Sequence, residues 1–263
     1  MARVPVVNVA HANYQQIADR LRDQISVGQL GPGARLPSEP DLARDYDASR
    51  NTVRLAIALL TNQGLVVTRQ GLGTFVREPA KLFTALLSGA ADSPRSHHVD
   101  TGLPVVGPAA DEPETCRLQV ETAPASPSVA AKLHVSEGES VVIRRSRRYI
   151  GGIPWLLIAS FFPMDLARGT ALEQAGNIDQ GSIELLAEHG HQQVGFMDEI
   201  GARMPDASEF GFFGLTTGTP VIVVNRTAYS EDRPIRLTRY IYRADRVRLA
   251  HEVGSIPAKY RSG

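Results

Sequence analysis

Cysteine is nearly absent from this sequence: Cys116 is the only one among 263 residues. A single cysteine excludes an intrachain disulfide and a cysteine-based metal cluster, and it favours a reducing compartment. The N-terminus lacks the charged-then-apolar pattern of a signal peptide, and no apolar run approaches the ~18 residues of a membrane span. We therefore expect a cytoplasmic protein without a membrane association.

Net charge is also absent, because 28 basic residues balance 28 acidic ones. That balance argues against a protein that is basic over its whole surface. Only three lysines occur, Lys81, Lys132 and Lys259, and none lies in a cofactor-binding motif. The histidines have no metal-ligand spacing, and no Ser/His/Asp order or carboxylate pair indicates catalysis. We expect no catalytic residues, no metal and no cofactor.

The composition changes near residue 80, and the length suits two ordinary domains. Residues 88–113 are rich in Gly, Pro, Ala and Asp without a sustained period, which is typical of a linker. The stretch "KLFTALLSG" before them is interpreted as a short helix ending at Gly89. The predicted division is a first domain, a linker, a second domain and a tail, covering 1–80, 81–113, 114–253 and 254–263.

The first domain begins with helical periodicity. Apolar residues recur at three- and four-residue steps from Tyr14 to Ile25, which predicts an amphipathic helix with Gly28 suited to its end. Ser38 has an oxygen for the first-turn amides of a second, short helix that runs to about Tyr46.

A third helix follows after a tight turn. Ser49 is its predicted N-cap and Gly64 its stop, and "LVVTRQGLGTFV" then predicts a β-hairpin around Gly71 and Gly73. Helix, short helix, turn, helix and hairpin are the parts of a winged helix-turn-helix. Such a fold places the N-terminal residues of its last helix in the DNA major groove.

That helix carries side chains suited to DNA in its first turn: Arg50, Asn51, Thr52 and Arg54. Arginine, asparagine and threonine bond base edges and phosphates. The preceding short helix has acids instead. The alternative is that these residues form only a solvated helix face, since the same geometry occurs in proteins that do not bind DNA.

The string "PGARLPSEPDLARDYDASRNTVRLAIALLTNQGLVVTRQGLGTFV" resembles the DNA-binding domain of the GntR family of bacterial transcription regulators. The resemblance covers about residues 13–77. One departure is Pro40, where the family often has arginine; it puts one phosphate contact in doubt, not the fold.

The resemblance implies a set of DNA contacts: Arg35, Ser49, Arg50, Asn51, Thr52, Arg54 and Gly73. We interpret Arg35 and Arg50 as base readers and Ser49, Thr52 and Arg54 as phosphate contacts. Asn51 varies in the family and is expected to tune operator choice. Gly73 is expected at the wing tip near the minor groove, where a side chain would obstruct.

The rest of the chain resembles the HutC branch of that family, whose second domain is a UTRA domain related in fold to chorismate lyase. The segment "ETCRLQVETAPASPSVAAKLHVSEGESVVIRRSRRYIGGIPWLLIASFFP" is similar to its opening, and "DRPIRLTRYIYRADRVRL" to its closing hairpin. The implied fold class is α+β: a winged helix-turn-helix joined to a mostly antiparallel sheet with flanking helices. The implied partners are a double-stranded DNA operator, a second copy of the chain and a small-molecule effector.

Alternation along the strand Val141–Ile150 places Arg144, Ser146 and Arg148 on one face of the sheet. The family pattern implies that this face meets the effector. The implied contacts are Arg144, Arg148, Ser160, Ser182, Arg236 and Tyr242. Ser182 is expected to cap the helix "SIELLAEHG", whose amides suit an anion.

Family members that bind amino-sugar phosphates carry acids where this chain has Ile158 and Arg236, and Glu184 replaces a common tyrosine. These departures argue against an amino-sugar phosphate and favour an effector that is a carboxylate or a more apolar metabolite. The alternative for the arginines is a solvated stripe, or salt bridges to acids such as Asp198 and Glu199.

The expected function is a ligand-responsive DNA-binding regulator, interpreted as a repressor that binds a palindromic operator as a dimer. Two alternatives stay open. The second domain serves only dimerisation, or it is an enzyme because its fold is shared with a lyase.

Overall fold

The computed structural model describes residues 13–78, 82–87, 105–106 and 113–253. The chain forms two compact units that divide near residue 80. Each is built around its own apolar core, and each is described by itself below.

The first unit consists of three helices followed by a two-stranded hairpin. The elements are α1 Tyr14–Ser26, α2 Glu39–Asp45, α3 Arg50–Asn62, β1 Val66–Arg69 and β2 Gly73–Val76. The two strands are antiparallel. The predicted winged helix-turn-helix is therefore confirmed.

Side-chain caps and one apolar stripe per helix explain this arrangement. Ser49 accepts a hydrogen bond from the Thr52 amide (3.1 Å), so α3 begins where the sequence predicts. The core joins apolar residues of all three helices and both strands, including Leu21, Leu42 and Leu60. The core thus fixes the orientation of α3 against the other two helices.

Ser38 supports the start of α2 in two ways. Its hydroxyl donates to a carboxylate oxygen of Asp41 (2.5 Å) and accepts from the Asp41 amide (3.3 Å). The hydrogen bond from Ser38 is the largest cause of the lowered pKa of the Asp41 carboxyl.

Replacing Ser38 with alanine is expected to raise the pKa of Asp41 toward its ordinary value. A lowered carboxyl pKa contributes stability above the unfolded pKa and loses it as pH falls through the folded pKa. The loss of the cap is expected to cost about 1 kcal/mol at neutral pH. NMR titration of Asp41 and urea unfolding measure the two effects. An unchanged Asp41 titration would contradict the assignment.

The second unit is built on a six-stranded antiparallel sheet with the strand order β5-β6-β7-β10-β9-β8. The strands are β5 Glu114–Pro124, β6 Ser140–Ile150, β7 Ile153–Pro163, β8 Gly195–Arg203, β9 Val221–Tyr229 and β10 Pro234–Arg243. The mostly antiparallel sheet predicted for the second domain is confirmed.

Helices flank both faces of this sheet. They are α4 Pro127–Leu133, α5 Met164–Ala167, α6 Gly181–Glu188 and α7 Ala207–Phe213. α4 packs with Val141 and Ile143 of β6, whereas α5 and α6 pack with Val142. Because neighbouring residues of a strand point to opposite faces, α4 lies on one face and α6 on the other.

A small second sheet has the order β11-β3-β4. Its strands are β3 Phe83–Leu86, β4 Val105–Val106 and β11 Val247–Ala250, and β3 pairs with β11 in parallel. The short helix predicted for "KLFTALLSG" is therefore wrong over its described part, because pairing with β11 holds Phe83–Leu86 extended. Segments of the predicted linker thus contribute strands to the second unit.

Candidate DNA-contact surface and effector site

The first turn of α3 presents two side chains to solvent. Arg50 and Asn51 are exposed, and within the described residues neither side chain makes a hydrogen bond or ion pair. Ser49 and Thr52 cap the helix instead, with 2.8 Å between their hydroxyl oxygens. A helix start with exposed, unengaged Arg and Asn side chains suits contacts with base edges and phosphates.

Arg54, one turn further along α3, lies over the start of α2. Its Nε donates to a carboxylate oxygen of Glu39 at 2.8 Å, and the Arg54 side chain stays 66% exposed. An ion pair this exposed contributes little stability. The ion pair with Glu39 orients the Arg54 guanidinium. The phosphate contact expected of Arg54 stays a prediction.

Arg35 and Gly73 meet next to the turn of the hairpin. Arg35 forms a β-bridge to Phe75, and a Cβ added to Gly73 would lie 2.8 Å from Arg35 Nε. Gly73 also has a φ of +111°, which L side chains rarely adopt. Glycine at this position therefore lets the Arg35 side chain lie across the wing, a reason that the sequence analysis did not foresee.

Arg69 is a further cation of the wing that the sequence analysis missed. Its guanidinium carbon lies 5.1 Å from the centre of the Phe75 ring. The same Phe75 pairs with Arg35 through its backbone, so both arginines stand at one residue of β2. The hairpin pattern could have indicated this contact. Arg69 pairs with Gly73, and Phe75 lies two residues further along β2, on the same face of the hairpin.

In the second unit, one face of the large sheet is termed the covered face. It is defined by Val142, Arg144, Ser146, Arg148 and Ile150 of β6. Val142 packs in the core that includes α6, and Ile150 packs in the core that includes β3 and β11. The three polar residues between them are 5% exposed or less. A buried polar strip between two apolar cores suits a small polar ligand.

Each predicted arginine of this strip has a defined contact. Arg144 donates to backbone carbonyls of the segment 171–176, including that of Gly176 at 2.6 Å. Arg148 pairs with Glu114 (2.6 Å), and Arg236 donates to the side chain of Gln193 (3.0 Å). The structure thus places all three in the buried layer. Their contacts with an effector stay predictions.

Four buried hydroxyl groups have no hydrogen-bond partner among the described residues: those of Ser146, Ser182 and Tyr242, and that of Thr227, which is not a predicted contact. Burial is the largest cause that raises the pKa of the Tyr242 phenol well above its ordinary range, so the group stays a neutral donor. An unsatisfied buried hydroxyl costs about 1–3 kcal/mol. Such groups indicate a place where a ligand supplies the missing hydrogen bonds.

Ser146 was not among the predicted effector contacts, although the alternation of β6 places it on the same face as Arg144. The prediction that Ser182 caps its helix is wrong. The N-cap of α6 is Gln180, and Ser182 lies inside the first turn. Ser160, another predicted contact, shares a hydrogen bond with Thr238 (3.1 Å between the oxygens).

The proposed salt bridges between the β6 arginines and Asp198 or Glu199 are not the ones that form. Asp198 pairs with Arg226 at 2.7 Å, and Glu199 pairs with Lys132. Of the two arginines of β6 that face away from the covered face, Arg145 and Arg147, Arg145 pairs with Glu121.

Together, the fold and these two surfaces define a protein with a winged helix-turn-helix and a second domain whose large sheet carries a buried polar strip. Residues 13–76 match the gntR family of bacterial regulatory proteins, and residues 109–248 match the UTRA domain. The chain therefore belongs to the GntR family of bacterial regulatory proteins and carries a UTRA domain, as in the HutC branch.

Relatives over nearly the whole chain agree with this assignment. The HTH-type transcriptional regulator Rv0792c of Mycobacterium tuberculosis is 30% identical over 234 residues, which cover 88% of this chain and 82% of that protein. The HTH-type transcriptional repressor NagR of Bacillus subtilis is 26% identical, with 90% and 93% covered. A crystal structure assigned to the GntR-family regulators has a TM-score of 0.71 at 27% identity, with 92% and 98% covered.

Within the described ranges, helices long and apolar enough to cross a membrane are not found.

Proposed function

We propose that the protein is a repressor that binds a palindromic operator as a homodimer and changes its DNA affinity when a small molecule occupies the UTRA domain. The observation that carries DNA recognition is the first turn of α3, with Arg50 and Asn51 exposed and unengaged by the described residues. Relatives named as repressors, NagR among them, support the direction of regulation. A two-fold dimer implies two half-sites related by the same symmetry.

The domain roles follow the predicted division. Residues 1–80 contact the operator, and 114–253 hold the effector and the dimer contact. The segment 81–113 connects the two domains and also supplies strands β3 and β4 to the second unit. We propose that the protein acts in the cytoplasm without catalytic activity, which the regulator names of its relatives support.

The effector is proposed to be a carboxylate or a more apolar metabolite that contacts the predicted residues of the covered face. Arg144, Arg148 and Arg236 give that face three buried cations, and Ile158 brings an apolar side chain between Ser146 and Tyr240. A buried arginine gains from an anionic partner. The unpartnered hydroxyls supply donors that orient a ligand.

A thermal-shift screen of a metabolite library tests this proposal. A ligand at a hundredfold excess over its Kd stabilises the folded state by about 2.7 kcal/mol. Each hit is then added to the complex of the protein with DNA selected from a random pool. A hit that shifts both unfolding and DNA affinity supports the proposal. A broad library without a hit would favour a second domain that only dimerises.

Removing the unpartnered hydroxyls is expected to separate ligand binding from folding. In Ser146→Ala and Tyr242→Phe, the ligand-free protein is expected to be at least as stable as the wild type, because no hydrogen bond between described residues is lost and an unsatisfied buried hydroxyl is removed. The stabilisation by the ligand falls in both variants. The exposed Ser136→Ala is the control, with an unchanged ligand response. Equal responses of all three variants would contradict the assignment of this site.

A further inference from the structure

The opposite face of the large sheet carries a cavity of about 400 Å³. This groove lies on the face of β6 that points away from the covered face, where Arg145 and Arg147 are exposed. Its other cations are Arg117 of β5 and Arg239 of β10. The six predicted effector contacts do not line it, because their side chains lie on the covered face or on α6, although Ser146 and Ile158 border both regions. We term it the arginine groove.

The charge of the arginine groove is unbalanced. Four arginines line it against two carboxylates, Asp206 and Glu209, and one of the four, Arg145, pairs with Glu121. Glu209 is already bound by Arg203 through both of its oxygens, each at 2.6 Å. The Asp206 carboxylate accepts from the Glu209 amide at the start of α7. Neither lining acid therefore forms an ion pair with the other three arginines.

Three of these arginines lie against aromatic rings rather than acids. Arg117 lies 5.9 Å from the ring centre of Tyr149, Arg147 5.7 Å from that of Phe212, and Arg239 5.9 Å from that of Phe161. Over the described ranges none of the three is paired with a carboxylate. The rings hold the cations in place but do not cancel their charge.

Arg239 is the centre of the imbalance. It is only partly exposed, and its Nε donates to the neutral side-chain oxygen of Asn225 at 3.0 Å. Burial first, and then the charges of Arg203 and Arg145, lower the pKa of its guanidinium. A partly buried cation beside two others is costly unless an anion joins it.

We infer that the arginine groove is a second ligand site, one that binds a small oxyanion: a phosphate or carboxylate group of a metabolite. The planar guanidinium of arginine matches both groups through paired N–H donors. The floor next to Arg239 consists of Leu157, Ala159 and Ile241, which suits an apolar body attached to the anionic group. A volume of about 400 Å³ accepts a ligand of small-metabolite size.

Isothermal titration calorimetry of the full-length protein tests this proposal. One titration uses inorganic phosphate and a second uses acetate, so that the two results show which anionic group the groove binds. The loss of one charged hydrogen-bonding partner lowers the affinity of the protein for the anion by about 10- to 100-fold. Arg239→Gln and the exposed Arg147→Gln are each expected to weaken binding at least about tenfold. Arg147→Gln keeps the test valid if the partly buried variant does not fold. Arg248→Gln, an exposed arginine of β11 outside the groove, is the matched control with wild-type affinity.

The proposal is supported if both groove variants lose affinity for either anion while Arg248→Gln does not. It is overturned if neither anion binds the wild-type protein, or if the groove variants bind as tightly as the wild type. Loss in Tyr242→Phe alone also overturns it, because the anion then binds the covered face. The readout is direct binding, so the outcome does not depend on whether DNA release occurs.

Discussion

Arg50→Ala is expected to abolish specific recognition of the operator while leaving non-specific DNA binding nearly intact. Arg50 stands exposed at the start of α3, without a side-chain partner among the described residues. A bidentate arginine–guanine contact contributes about 1–3 kcal/mol of discrimination, and a dimer loses it in both half-sites. The combined loss is about 2–6 kcal/mol. Footprinting on DNA selected by the wild-type protein measures it.

The control for this variant is Arg22→Ala. Arg22 lies on α1, pairs with Asp19 at 2.5 Å and carries the same charge. Arg22→Ala is expected to keep the wild-type footprint. The comparison of the two variants therefore separates the effect of losing one positive charge from the effect of losing a base contact. If Arg50→Ala protects the selected site as well as the wild type does, α3 is not the recognition helix.

The largest expected loss of stability is that of Asp198→Ala in the second unit. Arg226 is 8% exposed, and its guanidinium contacts both carboxylate oxygens of Asp198 at 2.7 Å. It also lies 3.9 Å from the centre of the Phe196 ring. Without Asp198, a buried cation loses its counter-ion, which costs about 3–5 kcal/mol. Urea unfolding measures this loss.

A matched ion pair in the same unit provides the control. Asp165 pairs with Arg233 at 2.5 Å, but the Asp165 side chain is 53% exposed. Asp165→Ala is expected to cost about 0–1 kcal/mol, because water replaces the lost partner. Equal losses in the two variants would mean that burial does not raise the cost of leaving Arg226 without its carboxylate partner.

Local signals made the first unit predictable. Ser38 and Ser49 act as N-caps in the structure, and Ile17 and Leu21 of α1 face the core as expected, whereas Tyr14 is exposed. These features depend on side chains within a few residues of one another. The hairpin has the same basis, because its turn glycines lie between its two strands.

Features set by distant pairing were not predictable. Phe83–Leu86 has a helix-like composition but forms a strand through pairing with β11. Because β11 lies more than 160 residues later in the chain, no local pattern predicts this pairing. The alternation along β6 placed Arg144 and Arg148 on one face correctly. The Ser146 hydroxyl is buried without a partner among the described residues. This depends on which elements cover that face of the sheet, so no local sequence pattern predicts it.

The central claim is sequence-specific DNA binding by this protein, and fluorescence anisotropy tests it most directly. The purified full-length protein is titrated against its selected DNA and against a scrambled duplex of the same composition, over a range of salt concentrations. We expect at least about a 1,000-fold preference for the selected DNA near physiological salt, with both affinities falling as salt rises. Equal affinity for the two duplexes, or no salt dependence, would contradict the account.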